Sequence, residues 1–286
     1  MTFKKIVLFF CIFPLLGFAS YPFSNAPIDV IIPATKKDTL SLNACIDGIR
    51  KNCRQIRRII VVSPVMYTNR AEWHPEENYP FSKFDVALCL NHGDTAKAQK
   101  YLEEPHSRLG WYYQQLLKLY APFAIPGISS NVLIVDADTI FLRPVEFIDQ
   151  DGNGLYNTGT EHHEFYFEHL TRLLPDYKKL YAEYSGISHH MLFQKAVLED
   201  LFNVVEETHQ VPFWKGFCLM VDPQYLRAAG ASEYEIYFNF VFARSDRVKI
   251  RHLNWTNAPS LDVLGKDGLN NYFQQGYDYV SCHKYD

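Results

Sequence analysis

The 286-residue chain has no CxxC pair, no HExxH pair and no excess of Lys and Arg, and each gap removes a class of function. Without CxxC spacing, zinc-ribbon and thioredoxin-like readings fail. His162 and His163, flanked by Glu161 and Glu164, resemble a metal cluster but lack HExxH spacing, so they read as a polar loop or helix start. With 28 Lys and Arg against 32 Asp and Glu, the formal charge is −4. That argues against a protein living on the phosphate backbone of nucleic acid, though not against a small anion in a local pocket. Six Cys are too few to staple a chain of this length. There is also no internal repeat, no linker and no second dense acidic cluster of the kind a two-metal phosphoesterase needs.

What is present is apolar: 48% of the residues are hydrophobic and 15% aromatic. That excludes a disordered chain and leaves enough material for a large core. Lys4 and Lys5 precede an apolar run from Ile6 to Phe18, and Gly17-Phe18-Ala19 offers small residues around a cleavage point. This is the pattern of a secretory signal peptide, residues 1–19, with 20–286 as one domain. The run is short of the roughly 20 apolar residues of a spanning helix. Export through the secretory pathway is therefore the first expectation, and retention as a membrane anchor through residues 6–18 the second. Cys45, Cys53, Cys89, Cys218 and Cys282 would remain, an odd number that allows at most two disulfides. Asn254-Trp255-Thr256 is a glycosylation sequon, meaningful only in a eukaryotic lumen.

Past this segment the pattern alternates strand and helix. Ile28 to Ile32 reads as a strand buried on both faces, followed by the polar loop Thr35-Lys36-Lys37-Asp38. Leu42, Cys45, Ile46, Ile49 and Cys53 then recur at helical spacing. Ile59 to Val62 predicts a second strand and Phe84 to Leu90 a third. Strand, helix, strand implies a parallel sheet with right-handed crossovers, open because the alternation does not persist eight times. A helix is expected over Arg108–Ala121, and Val132 to Val135 reads as the central strand. After Pro144 the chain turns more helical, with segments near Glu164–Leu174 and Met191–Val205.

Asp136 and Asp138 follow the central strand directly. Two residues apart on an extended chain, they would point the same way. They would do so at the carboxyl end of a buried strand, where open α/β sheets place ligands. Converging carboxylates repel unless a cation neutralises them, and one or two carboxylates with waters and substrate phosphates is a usual way to hold Mg²⁺ or Mn²⁺. The plain alternative is a turn, which Asp favours.

The run Arg108-Leu109-Gly110-Trp111-Tyr112-Tyr113-Gln114-Gln115-Leu116-Leu117-Lys118-Leu119-Tyr120-Ala121, then Val135-Asp136-Ala137-Asp138-Thr139 and Phe141-Leu142-Arg143-Pro144, resembles GT-A-type glycosyltransferases. It is most similar to a bacterial glycosyltransferase-like group long treated as a domain of unknown function. Ser188-His189-His190-Met191-Leu192-Phe193, Ser232-Glu233-Tyr234-Glu235 and Tyr279-Val280-Ser281-Cys282-His283 extend the likeness over roughly Ile28 to His283. The resemblance implies a GT-A, Rossmann-like α/β fold: an open, mostly parallel sheet flanked by helices. It implies a divalent metal on Asp138 and Asp136, with Asp136 reaching the metal or the ribose and His283 as a further ligand. An imidazole among oxygens fits Mn²⁺ better than Mg²⁺.

The resemblance further implies that Ala34, Thr35 and Asp38 cradle the nucleotide, although Asp38 or Thr39 also suits a helix N-cap. Arg108, Gln114 and Lys118 lie on the helix feeding the metal strand, so one or more of them would face the phosphates, with Lys118 alternatively an exposed helix charge. His189 and His190, read as opening a helix, take the acceptor-binding position. Ser232-x-x-Glu235 reads as a capping box, which leaves Glu233 as the base of an inverting transfer. A helix amino terminus would depress the pKa of such a base.

The expected function is metal-dependent transfer of a sugar from a nucleotide-diphosphate donor to a hydroxyl of a glycan, lipid or protein acceptor. The rival is a secreted, non-catalytic carbohydrate- or nucleotide-binding protein on the same fold. A metal-dependent phosphoesterase is a third reading.

Overall fold

In the computed structural model, Tyr21 and residues 25–283 are described, so the expected targeting segment at 1–19 lies outside them. No helix among the described residues is long and apolar enough to cross a membrane.

The predicted βαβ unit opens the fold. Strand β1 (Ile28–Pro33) is buried at every position. A short 3₁₀ turn, Lys36–Asp38, leads into helix α1 (Thr39–Asn52), which buries Leu42, Cys45, Ile46 and Ile49. Strand β2 (Ile56–Ser63) returns parallel to β1. Strands covered on both faces are mostly apolar, which is why both were readable; the exception is Asp29, buried in β1 and answered by Arg57.

The third strand is not where the apolar run suggested. Strand β3 (Glu72–Pro75) pairs parallel with β2 at the sheet edge. The segment expected as a strand is instead helix α2 (Lys83–Leu90). Its start is fixed by a reciprocal cap: the Asp85 amide donates to Ser82 Oγ at 3.1 Å, and the Ser82 amide donates to Asp85 Oδ2 at 2.8 Å. A short apolar run cannot distinguish a strand from a buried helix, and the cap decides it.

Helices α3 (Thr95–Glu103) and α4 (Leu109–Ala124) follow, then β4 (Asn131–Val135), parallel to β1, and the short β5 (Thr139–Phe141). The second half contains β6 (Gly154–Asn157), α5 (Glu164–Leu173), β7 (His190–Gln194), α6 (Lys195–His209) and α7 (Phe213–Leu219). It ends with α8 (Glu233–Arg244), β8 (Val248–Arg251), β9 (Trp255–Pro259), α9 (Leu261–Gln274) and β10 (Tyr279–His283). His190 therefore opens a strand rather than a helix, and the helix expected from Met191 starts only at Lys195.

The central sheet runs β3-β2-β1-β4-β7, with β7 antiparallel to β4 and the other neighbours parallel. The protein is thus a mixed α/β fold with a mostly parallel central sheet flanked by helices. Strand β10, lying between β5 and β9, brings the end of the chain back beside the exit of β4, with Ser281 opposite Thr139.

Candidate active site at the carboxyl end of the sheet

Strand β4 ends at Val135, and the chain turns at once: the Thr139 amide donates to the Asp136 carbonyl at 3.0 Å. The alternation of an extended strand is not carried into Asp136-Ala137-Asp138. The two carboxylates accordingly meet different neighbours.

Asp136 faces α4 and α8. Lys118 Nζ lies 2.6 Å from Asp136 Oδ1 and 2.6 Å from Glu233 Oε1. The Tyr234 ring lies beneath this ammonium, 4.4 Å from Nζ to the ring centroid. Lys118 is 3% exposed, which rules out the reading of it as a surface helix charge. Burial works against its ammonium, but Asp136 and Glu233 outweigh that and hold its pKa well above the usual lysine range. Glu233 occupies the first turn of α8, yet burial pushes its carboxyl pKa up, with Lys118 pulling the other way. Desolvation thus overrides the depression expected from the helix terminus. Gln115, one turn before Lys118, accepts from the Glu233 amide at 2.9 Å and donates to the Ala231 carbonyl at 3.0 Å. Gln115 and Tyr234 are site residues that were not singled out in the sequence; the three-residue spacing of Gln115 and Lys118 on one helix face was the available signal.

Asp138 faces the other way round the turn. Ser281 Oγ on β10 donates to its Oδ1 at 3.2 Å, and the Cys282 amide donates to its carbonyl at 2.9 Å. Asp138 lines a cavity of about 70 Å³ together with Lys37, Asp38, Ser41, Ser260 and Asp262. That space suits an ion with its waters rather than a whole nucleotide. Asp38 stands at the N-cap position of α1, but its carboxylate turns back to Thr35, taking the amide at 2.7 Å and the hydroxyl at 2.9 Å. Burial raises the Asp38 pKa, with Asp138 adding to it and the Thr35 hydrogen bonds opposing. Ala34 is buried and its amide donates to the Val62 carbonyl at 2.9 Å, so it holds the loop to the sheet.

The two adjacent histidines separate. His189 Nδ1 sits 4.0 Å from Asp136 Oδ2, its ring edge-on to Trp255 at 4.9 Å. His190 is 2% exposed and packed among Phe141, Phe147 and Tyr279. Burial holds His190 neutral, its pKa well below the usual value. It is a core residue, so the acceptor role expected of it does not stand. His162 and His163 do mark a helix start, with His163 the N-cap of α5. His283 pairs with Pro259 at the end of β10, two residues past Ser281, and its side chain lies outside what is described. Among the described residues, no three His, Cys, Asp or Glu side chains converge tightly enough to hold a metal by themselves.

A roomier cleft, about 820 Å³, opens around the amino end of β2, with Arg50, Arg54, Arg57 and Arg58 in its lining. Part of its charge is answered within the protein: Arg57 reaches the buried Asp29 at 2.5 Å and Arg58 reaches Glu72 at 2.7 Å. The site chemistry lies at the other end of the strands.

No curated protein matches the sequence. Residues 82–273, more than half the chain and including α4, Asp136, Asp138 and α8, match DUF6492. The chain therefore belongs to DUF6492, a family of unknown function.

Proposed function

We propose that the chain is a metal-dependent glycosyltransferase of GT-A type that takes its sugar from a nucleotide-diphosphate donor. The observation that carries this reading is Asp138 opening onto one small acidic cavity with the Lys37–Asp38 turn. The two come from the carboxyl ends of β4 and β1, neighbouring parallel strands, and such ends are where open α/β sheets bind ligands.

A single carboxylate, Asp138, would be the protein's oxygen ligand to a hard divalent cation here. Asp38, Asp138 and Asp262 surround the cavity with Lys37 among them. Asp138 would hold the ion with waters and the donor diphosphate, the sparse protein contribution usual for Mg²⁺, and His283 would favour Mn²⁺. When bound, the ion would offset the charge of the departing nucleoside diphosphate. Asp136 is committed elsewhere, to Lys118, and its part is to fix the β4 exit. His189, beside Asp136 and Trp255, is the histidine suited to meet an acceptor.

Glu233 acts here as a positioning residue, because it touches Lys118 rather than a surface an acceptor could reach. To serve as base it would have to leave that ammonium. This burial is the observation that favours the second reading, a binding protein that keeps the fold without turnover.

Calorimetric titration of the protein with UDP and GDP, with and without Mn²⁺, tests the proposal. Nucleotide binding that needs Mn²⁺ and is lost in Asp138→Ala is the expected result. Absence of binding to either nucleotide under both conditions overturns it. Release of nucleotide from a panel of UDP- and GDP-sugars then separates a transferase from a binding protein.

A further inference from the structure

Two of the five cysteines of the described residues meet across a helix–helix contact. Cys89 on α2 is half-buried and Cys218 on α7 is buried, and each thiol shifts the titration of the other. Cys89 Sγ also donates to the Lys215 carbonyl at 3.6 Å, one helical turn before Cys218. Helices α2 and α7 pack directly on one another, so packed secondary structure holds the two thiols together. Cys45, Cys53 and Cys282 are all buried, and burial raises the pKa of each thiol.

We propose that Cys89 and Cys218 are an oxidisable pair that closes to a disulfide between α2 and α7 when the chain meets a small-molecule disulfide. The two sulfurs divide the work. Cys89 is the accessible one, and its thiol pKa is lowered by the Cys218 hydrogen bond and by Lys215. Its thiolate attacks one sulfur of the oxidant, forming a mixed disulfide and releasing one thiolate. Cys218 then attacks the Cys89 sulfur, displacing the second thiolate, which leaves as a thiol with the proton Cys218 gives up. Two protein thiols are oxidised to one disulfide while the reagent disulfide is reduced to two thiols. Export, which the sequence predicts, would take the chain to a compartment where such bonds persist.

The bond would brace the helix that carries Lys118. Helix α2 packs on α4, and α7 reaches the same helix through the Trp214 amide, which donates to Tyr120 Oη at 3.1 Å. The Phe81 and Trp214 rings, 5.7 Å apart, pack on the same side. A cross-link from α2 to α7 spans α4 and closes a long loop of the unfolded chain, the situation in which a disulfide restricts the unfolded state most.

The test is oxidation of the full-length protein with glutathione disulfide, alkylation of the remaining thiols, and tryptic mapping without reduction. The expected result is a disulfide joining peptides Phe84–Lys97 and Gly216–Arg227. A rise in the thermal midpoint, reversed by dithiothreitol, should accompany it. Cys89→Ser should lose both effects and keep the reduced protein's midpoint; Cys218→Ala should lose the cross-link and leave Cys89 carrying glutathione. Glutathione on Cys89 in the unsubstituted protein, or full alkylation of both cysteines after oxidation, overturns the proposal.

Discussion

Lys118 Nζ lies 2.6 Å from Glu233 Oε1, and that contact ties the middle of α4 to the first turn of α8. Asp136 completes the set from the end of β4, also at 2.6 Å. Helix α8, distant in sequence, is therefore joined to α4 and to the exit of β4 by one buried ammonium. Removing Lys118 takes the countercharge from both carboxylates at once.

Lys118→Met should destabilise the protein by about 3–5 kcal/mol, the cost of stranding buried charge. Lys118→Met combined with Glu233→Gln should be less destabilised than the single change, because one of the stranded carboxylates is gone. Urea unfolding of the two variants checks this. A single variant within about 0.5 kcal/mol of the unsubstituted protein would mean that the contact carries little stability.

Much of the sheet was legible because Ile59–Val62 and Val132–Val135 are apolar runs that only two-sided burial explains, and Ile28–Ile32 is apolar except for Asp29, whose buried carboxylate is answered by Arg57. The edge strand Glu72-Trp73-His74-Pro75 was not, since a short polar edge strand leaves no pattern. Phe84–Leu90 and His190–Phe193 exchanged strand for helix and helix for strand, because short apolar runs suit either state and caps or neighbours decide. In the candidate site, the place of the two carboxylates after β4 was legible, but their different neighbours were not. Whether Lys118 points to water or to Asp136 depends on α8 arriving beside α4, a tertiary fact that helix periodicity does not contain. The Ser232-x-x-Glu235 box was half right: the Glu235 amide donates to Ser232 Oγ at 3.3 Å, while the Glu235 carboxylate accepts from Asn239 instead of closing the box.

The different neighbours of Asp136 and Asp138 predict different phenotypes. Asp138→Asn should unfold at nearly the same urea concentration as the unsubstituted protein, because Asp138 is partly exposed at a cavity mouth, yet should lose Mn²⁺-dependent nucleotide binding. Asp136→Asn should lose about 1–3 kcal/mol of stability, as it removes one of the two carboxylates that answer the buried Lys118 ammonium. Unfolding and calorimetry on the same two proteins check both. Equal phenotypes would show that the carboxylates act as one pair after all.

Gly48 lets α1 approach β5 closely. A Cβ there would stand 2.9 Å from the Phe141 amide nitrogen and 3.0 Å from its carbonyl oxygen. These are main-chain atoms, also tied by Asn52 Nδ2 donating to Phe141 O at 2.7 Å, so they cannot rotate away. Gly48→Ala should cost about 1–3 kcal/mol in spite of alanine's higher helix propensity. Thermal unfolding checks it; a gain in stability would mean that the two elements separate easily.

Glu235 predicts a pH dependence. Burial pushes its carboxyl pKa up to about 7, with the Gly186 amide and Asn239 opposing. The folded protein then keeps a proton on Glu235 that the unfolded chain releases near pH 4.5, the ordinary value. Between these values the folded state binds more protons, so this group's contribution is fully present below about pH 4.5 and is lost as pH rises towards 7. The loss amounts to about 3 kcal/mol from the two pKa values. Glu235→Gln keeps a side-chain carbonyl for Asn239 and has no proton to release. The stability of the variant relative to the unsubstituted protein should therefore rise between pH 5 and pH 8, measured by urea unfolding at matched ionic strength. Parallel stability curves across that window would mean that Glu235 is ionised in the folded protein at pH 5 already.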